Sequence, residues 1–509
     1  MNLVDLFRVT LPETALEVAA LVVLVVDLGI LRKAALGTRV AAAAVLGVLG
    51  SVVALALLPC AGSTGFSSGE ELLLASGGIA AVAQAGILIL TILTLLLFIG
   101  SSFTRHAAEY VAVVLMAAAG GLLVAAAQDL LIIFVGLELL SLGLYVLTAF
   151  NKHSEKSAEA ALKYYLFGGM SAAFLLFGFS YLYGIAGSTN LHQIMRAAFF
   201  ASAAGGAPLL YVALVLIVVG LGFKVAAVPF HLWAPDTYEG APAPAAAFIA
   251  SASKVASFAL LISIGAATLH LFDGLKQVVL IADQAGTAPA HLGLAMPWMQ
   301  TLLLLSAISM IVGNLAALAQ SSVRRLLAYS AIAHAGYMLL GVANLGFSTA
   351  TAQAVLYYVL TYGLTTIGAF GVIQVVENAT GSDKFDAFLG LHKRNPLLAA
   401  VLLILFLSLA GIPPLVGFWA KFNLFAAVLG VGTGAVSFSL VVLAIVLSAV
   451  SLYYYLQVLK RAYVMPAADE TPIKAHPVTL LVLVAIAMAV VVSGCLPTIL
   501  QTWIANAHF

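Results

Sequence analysis

Fourteen stretches of this 509-residue chain are apolar over lengths that can cross a bilayer, from 14–32 at one end to 477–504 at the other. A hydrocarbon core about 30 Å thick takes roughly 20 helical residues to span, and inside it every backbone N–H and C=O must be satisfied within the protein. Only helices and closed strand barrels meet that condition. Runs of this length without period-two alternation select helices. The expected fold is an all-α polytopic membrane protein of about 14 transmembrane helices. Hydrophobic residues make up 63% of the chain and charged residues 8%, which leaves no room for a large soluble domain. A net charge of +1 excludes a nucleic-acid surface. Two distant cysteines, Cys60 and Cys495, cannot by themselves build an iron–sulfur or zinc site, so no metal site is expected. The N-terminus carries no basic leader or small-residue cleavage signal, and its first span is read as a retained helix.

The connecting segments orient the bundle. Lys and Arg residues such as Arg32, Lys33, Arg105, Lys152, Lys156, Arg324, Arg325, Lys393 and Arg461 crowd one side, whereas the other holds only Arg8, Arg196 and Lys276. Positively charged loops stay cytoplasmic, so both termini are expected outside the cytoplasm. The longer connections, near 185–207, 271–296 and 377–396, read as linkers or short surface helices. No G-x-G-x-x-G opens a βαβ unit and no Walker A sequence occurs, so nicotinamide, flavin or ATP would have to bind on a partner.

Four lysines remain inside the apolar runs: Lys163, Lys224, Lys254 and Lys421. A cation in hydrocarbon is expensive, so such residues usually face a wet or protein-lined interior. One carboxylate, Glu138 in LLIIFVGLELLSLGLYVL, lies at comparable depth. It reads either as a protonated structural carboxyl or as the partner that holds Lys224 charged. Lys254, in FIASASKVASFALL, is flanked by Ser251, Ser253 and Ser257, small polar groups that can line a channel. Lys163 lies near the cytoplasmic end of its span, where a snorkelling side chain and a relay group are both open readings. His334, in AYSAIAHAGYMLLG, is a candidate bridge or a packed core histidine. Asp27 reads as an interfacial ion-pair partner beside Arg32 and Lys33. The loop VPFHLWAPDTYEGAPAP reads as an ordered turn, a hinge, or a gated proton path. Lysine suits proton exchange because burial and a nearby carboxylate act oppositely on an ammonium group.

An internal repeat organises these residues. The pair Tyr164–Tyr165 recurs as Tyr357–Tyr358, and Lys224 and Lys421 each lie in a span interrupted by proline, at Pro229 and at Pro413–Pro414. Residues 1–108 then form an N-terminal three-helix segment, and 109–270 a first repeat of helices four to eight. Residues 297–462 form a second repeat of helices nine to thirteen, and 477–509 a C-terminal helix. An odd helix number inverts the second copy, with helices 7 and 12 broken. Interrupted helices in inverted halves point to an ion-handling site near the midplane.

Several of these motifs carry a resemblance. GFKVAAVPFHLWAPDTYEGAPAPAAAFIASASKVASF, FVGLELLSL, ALKYYLFGG, RRLLAYSAIAHAGYMLLG and LAGIPPLVGFWAKF resemble the subunit N family of bacterial NADH:quinone oxidoreductase (respiratory complex I), over essentially the whole chain. The resemblance implies a proton-translocating membrane-arm subunit in the bacterial inner membrane, among other antiporter-like subunits. Glu138 and Lys224 would form its coupling pair, Lys254 the central relay and Lys421 the residue near the exit; Lys163 matches a lysine of that family. NADH, FMN, iron–sulfur clusters and quinone are expected in partner subunits, with no cofactor on this chain. The rivals are a subunit of a multisubunit cation/proton antiporter, which shares the scaffold, and a structural scaffold whose lysines merely bind lipid or neighbouring helices.

Overall fold

The computed structural model describes residues 3–61, 65–68, 71–203, 207–267, 295–345, 348–431, 434–467 and 471–506. In chain order the first elements are α1 (Leu3–Val9), α2 (Leu11–Gly29), α3 (Leu36–Leu57), β1 (Phe66–Ser68), β2 (Glu71–Leu74), α4 (Gly78–Phe98), α5 (Ala107–Ala126), α6 (Leu130–Thr148), α7 (Glu155–Ala186), α8 (Leu191–Ala203) and α9 (Ala207–Val225). Short α10 (Trp233–Gly240) and α11 (Ala243–Ala250) follow, then α12 from 252 to 267. The second half runs through α13 (Ala295–Leu318), α14 (Val323–Ala343), α15 (Thr349–Thr380), α16 (Leu391–Arg394), α17 (Pro396–Ala410), α18 (Val416–Gly430), α19 (Ala435–Tyr463), α20 (Pro477–Cys495) and α21 (Pro497–Ala505).

Twelve helices among the described residues are long and apolar enough to cross a membrane. Two of the expected spans fall outside that set for visible reasons. Helix α2 carries Glu13, Glu17 and Asp27, and the span over 397–429 is divided into α17 and α18. The linker expected near 271–296 falls largely outside the described residues, as does Lys276. Three features depart from the sequence expectation. A two-stranded antiparallel hairpin, β1–β2, joins an otherwise helical chain. The span over 244–270 is bent at Ser251, whose hydroxyl donates to the Ala247 carbonyl at 2.6 Å and competes with the helical ladder. Asp27 pairs with Arg39 of the next helix, at 2.5 Å, and not with Arg32 or Lys33.

Polar side chains set the helix ends. Asp129 caps α6 through the Leu131 amide at 2.9 Å, Ser154 caps α7, Ser322 caps α14 and Ser348 caps α15. Both 32-residue helices, α7 and α15, stop at a left-handed glycine, Gly187 and Gly381. The caps Ser154 and Ser348 are 194 positions apart, and so are the two glycines. Small residues allow the closest helix approaches: a Cβ on Gly120 would meet the Leu140 amide at 2.5 Å, and one on Gly313 the Ala333 amide at 2.5 Å. The core comprises α5, α11–α12, α14 and α15, which are mostly enclosed, while α3, α19 and α20 present apolar faces outward.

Candidate functional site

Both broken spans close their first arm in the same way. Helix α9 ends with Ala226 in the left-handed region, its amide reaching the Phe223 carbonyl at 3.0 Å while the Ala227 amide reaches Gly222 at 2.8 Å. Helix α17 ends with left-handed Gly411, whose amide reaches Ser408 at 2.9 Å, and the Ile412 amide reaches Leu407 at 3.0 Å. These paired bonds satisfy carbonyls that a helix end would otherwise leave free. The connecting backbone is held by serines, Val228 N–H to Ser309 Oγ at 2.9 Å and Gly417 N–H to Ser408 Oγ at 3.2 Å.

The lysines occupy opposite arms. Lys224 lies in the last turn of α9, before its break, and Lys421 lies within α18, after its break. Lys224 Nζ donates to Ser141 Oγ of α6, and its ammonium is 5.7 Å from the Phe223 ring centroid. Glu138 stands three residues before Ser141 on the same helix and is half-buried. Among the described residues no ion pair joins Glu138 to Lys224, so the expected pair is not closed and Ser141 is the direct partner. Lys254 Nζ donates to the Ala331 carbonyl of α14 at 2.7 Å and lies 5.4 Å from the Tyr362 ring. His334, one turn further along α14, shares a hydrogen bond between Nδ1 and Tyr358 Oη at 2.8 Å, and its ring is 4.9 Å from Tyr362. Lys421 Nζ donates to Ala410 O at 2.9 Å, Leu409 O at 3.2 Å and Ser448 Oγ at 2.7 Å. It therefore sits on the carbonyl end of α17, where the helix dipole favours a cation. A small cavity, with about 10 Å³ of room for water, lies between His334, Tyr358 and Tyr362 and the second break at Leu409, Gly417 and Ala420.

The structure thus brings Lys254 of α12 against α14 one turn from His334, with Lys421 beside the second break and Lys224 at the first. Sequence reasoning missed Ser141. It also missed the buried polar line in which Asn314 donates to Tyr337 Oη at 3.0 Å and accepts from Tyr454 Oη at 3.2 Å. A mid-span asparagine among apolar residues was the available signal. The helix caps Asp129 and Ser322 lie 193 positions apart, the same offset as that between the Tyr164–Tyr165 and Tyr357–Tyr358 pairs.

Lys163 lies elsewhere. It donates to Asp236 at 2.8 Å and pairs with Glu159 at 2.7 Å; Arg325 reaches Asp236 at 2.6 Å and Glu239 at 3.1 Å, and Lys156 reaches Glu239 at 2.7 Å. These ion pairs tie α10 to both α7 and α14. Burial pushes the Asp236 and Glu239 carboxyls up, but hydrogen bonds from Lys163 and Arg325, and from Lys156 and Arg325, outweigh it and hold both below their ordinary values of 3.8 and 4.5. With folded-state values depressed, the clasp contributes fully above those ordinary values and is lost as pH falls through the lower folded ones. Acid titration of the solubilised protein should show that loss, and Asp236→Asn should flatten it by on the order of 1 kcal/mol.

Comparison with known proteins places this geometry. Residues 127–287 and 287–451 match the family profile described as NADH:quinone oxidoreductase/Mrp antiporter, TM. A protein of Acidobacterium capsulatum named NADH-quinone oxidoreductase subunit N 2 is 47% identical over 98% of each chain. A chain of respiratory complex I from Thermus thermophilus, solved with bound aureothin, matches with TM-score 0.75 and 35% identity over 96% of this chain and 98% of its own. A chain of the Mrp complex from Dietzia sp. matches with TM-score 0.76 over 100% of this chain and 97% of its own, at 20% identity, a likeness of fold alone.

Proposed function

The chain belongs to the NADH-quinone oxidoreductase subunit N family, and from that premise we propose that it moves protons through Glu138, Lys224, Lys254, His334 and Lys421 when electrons pass from NADH to quinone in other subunits. It is a membrane-arm subunit of this translocase and works beside the other subunits of that arm. The observation that carries the relay is the neutrality of its contacts. Lys224, Lys254 and Lys421 are each buried, and each bonds to serine hydroxyls or backbone carbonyls, with no carboxylate salt bridge among the described residues. An ammonium held by neutral acceptors can release its proton without stranding a buried carboxylate, so its two states stay close enough in free energy to exchange. Glu138, a turn from Ser141, then biases Lys224 electrostatically and not through contact. His334 and the small cavity beside it connect Lys254 to Lys421. Lys163 belongs to the relay only if the α10 clasp opens. We take residues 109–270 and 297–462 as the two inverted repeats, and the cationic loops as cytoplasmic in a bacterial inner membrane, with both termini outside.

Moving one charge against the membrane potential costs about 2.3 kcal/mol per 100 mV, and the redox reaction of the partner subunits supplies it. Purification through this chain should recover flavin- and iron–sulfur-bearing subunits with NADH-oxidising activity. Recovery of cation/proton exchange without NADH oxidation would favour the antiporter reading instead. In the assembled complex Lys421→Ala should lower proton translocation by about tenfold or more, read as the pH gradient formed by inverted vesicles.

A further inference from the structure

We propose that protons reach Lys254 from the cationic face of the bundle along one winding ridge of α15, past Gln374 and through a neck formed by Phe370 and Tyr238. The inference rests on the relay reading and adds its intake. Residues Tyr358, Tyr362, Thr366, Phe370 and Gln374 recur at every fourth position of α15, so they form one ridge that winds around a helix buried over most of its length, each member beside the next. The inner end of the ridge is the relay itself, where Tyr358 bonds His334 and Tyr362 lies against both the Lys254 ammonium and the His334 ring.

The outer end is wet. Gln374 lines a polar cavity with about 420 Å³ of room for water, rimmed by Lys156, Glu239, Arg324, Glu377 and Asp383. Gln374 Nε2 donates to the Leu97 carbonyl at 3.1 Å, which fixes the amide, while its Oε1 is buried without a partner among the described residues. Between the two ends, Tyr238 meets Phe370 edge-on, with ring centroids 5.7 Å apart. Its hydroxyl is buried, also without a partner among the described residues. Buried polar atoms are satisfied by protein or by water in nearly every known case. Two such atoms between a wet cavity and a buried ammonium mark places where water passes. Packing alone would be served as well by leucine at 374 and phenylalanine at 238. The Phe370–Tyr238 contact is the narrow point of the path, an apolar constriction that opens with small movements of α10.

The test uses the assembled complex in vesicles, with coupled turnover followed as the pH on the cationic face is raised. Gln374→Leu should reduce coupled turnover about tenfold and make it fall more steeply with rising pH, because proton supply becomes limiting. Gln374→Glu should restore much of the loss, and Tyr238→Phe, which keeps the packing, should shift the profile in the same direction. Turnover that stays at the parent level, or that falls equally at every pH, in both Gln374→Leu and Tyr238→Phe overturns the route. If either variant fails to assemble, the other carries the test. Lys254→Met separates the two levels of the argument. An inactive Lys254→Met beside a normal Gln374→Leu overturns only the intake, whereas an active Lys254→Met overturns the relay on which it rests.

Discussion

Lys254→Met is expected to leave the bundle assembled and to remove proton translocation by about a hundredfold or more, since a thioether cannot carry the proton. The lysine is 2% exposed, and among the described residues its ammonium has one hydrogen-bond partner, the Ala331 carbonyl, with the Tyr362 ring beside it. Methionine fills the volume of the stem, and removing a buried charge that lacks an ion pair is neutral or stabilising. Folding and function should therefore separate, with melting of the solubilised complex unchanged or raised while the vesicle pH gradient disappears. Lys254→Arg sharpens the result. Arginine keeps the charge but does not release its proton in proteins, so it should be inactive as well. A fully active Lys254→Arg would show that charge alone suffices and would end the case for proton transfer at this residue.

Arg324→Met should produce the largest loss of stability, about 3 kcal/mol or more. The arginine side chain is 4% exposed and joins three elements. Nη1 donates to Ala241 O at 2.6 Å and to Glu239 O at 3.2 Å, and Nη2 pairs with Glu377 of α15. Its loss strands two backbone carbonyls at the α10–α11 junction together with a carboxylate. Arg324→Lys should recover little, because a single ammonium cannot reproduce the planar fork. Glu377→Gln, at a half-exposed partner, should cost about 1 kcal/mol or less. Thermal melting and the yield of assembled complex read out all three variants. Parent-like melting of Arg324→Met would remove the clasp from the list of structural determinants.

Much of the fold was legible in the residues before any coordinates. Span length and apolarity locate a membrane helix because transfer free energy depends mainly on local composition, and proline at Pro229 and Pro413–Pro414 marked both breaks. Where local signals compete, legibility failed. Ser251 was read as a channel-lining residue, but its hydroxyl also bonds back to Ala247 and bends α11–α12 three residues before Lys254. The β1–β2 hairpin lies between spans, where no periodicity announces it. Asp27 was assigned to cationic neighbours in sequence, yet the helical hairpin of α2 and α3 delivers Arg39 to it.

The four intramembrane lysines show where the boundary falls. That Lys163, Lys224, Lys254 and Lys421 lie within apolar runs, and that two of these runs are broken, follows from the sequence alone, since both facts are local along the chain. What each ammonium touches was decided only by tertiary structure. Lys163 meets Asp236 in a half-exposed clasp, Lys224 meets Ser141 in place of Glu138, Lys254 meets a backbone carbonyl, and Lys421 caps the arm before its own break. In three of these contacts the partner lies more than seventy positions away, on another helix. Helix packing brings them within a hydrogen bond's reach, and a bond that works over about 3 Å leaves no trace in the spacing of residues along the chain.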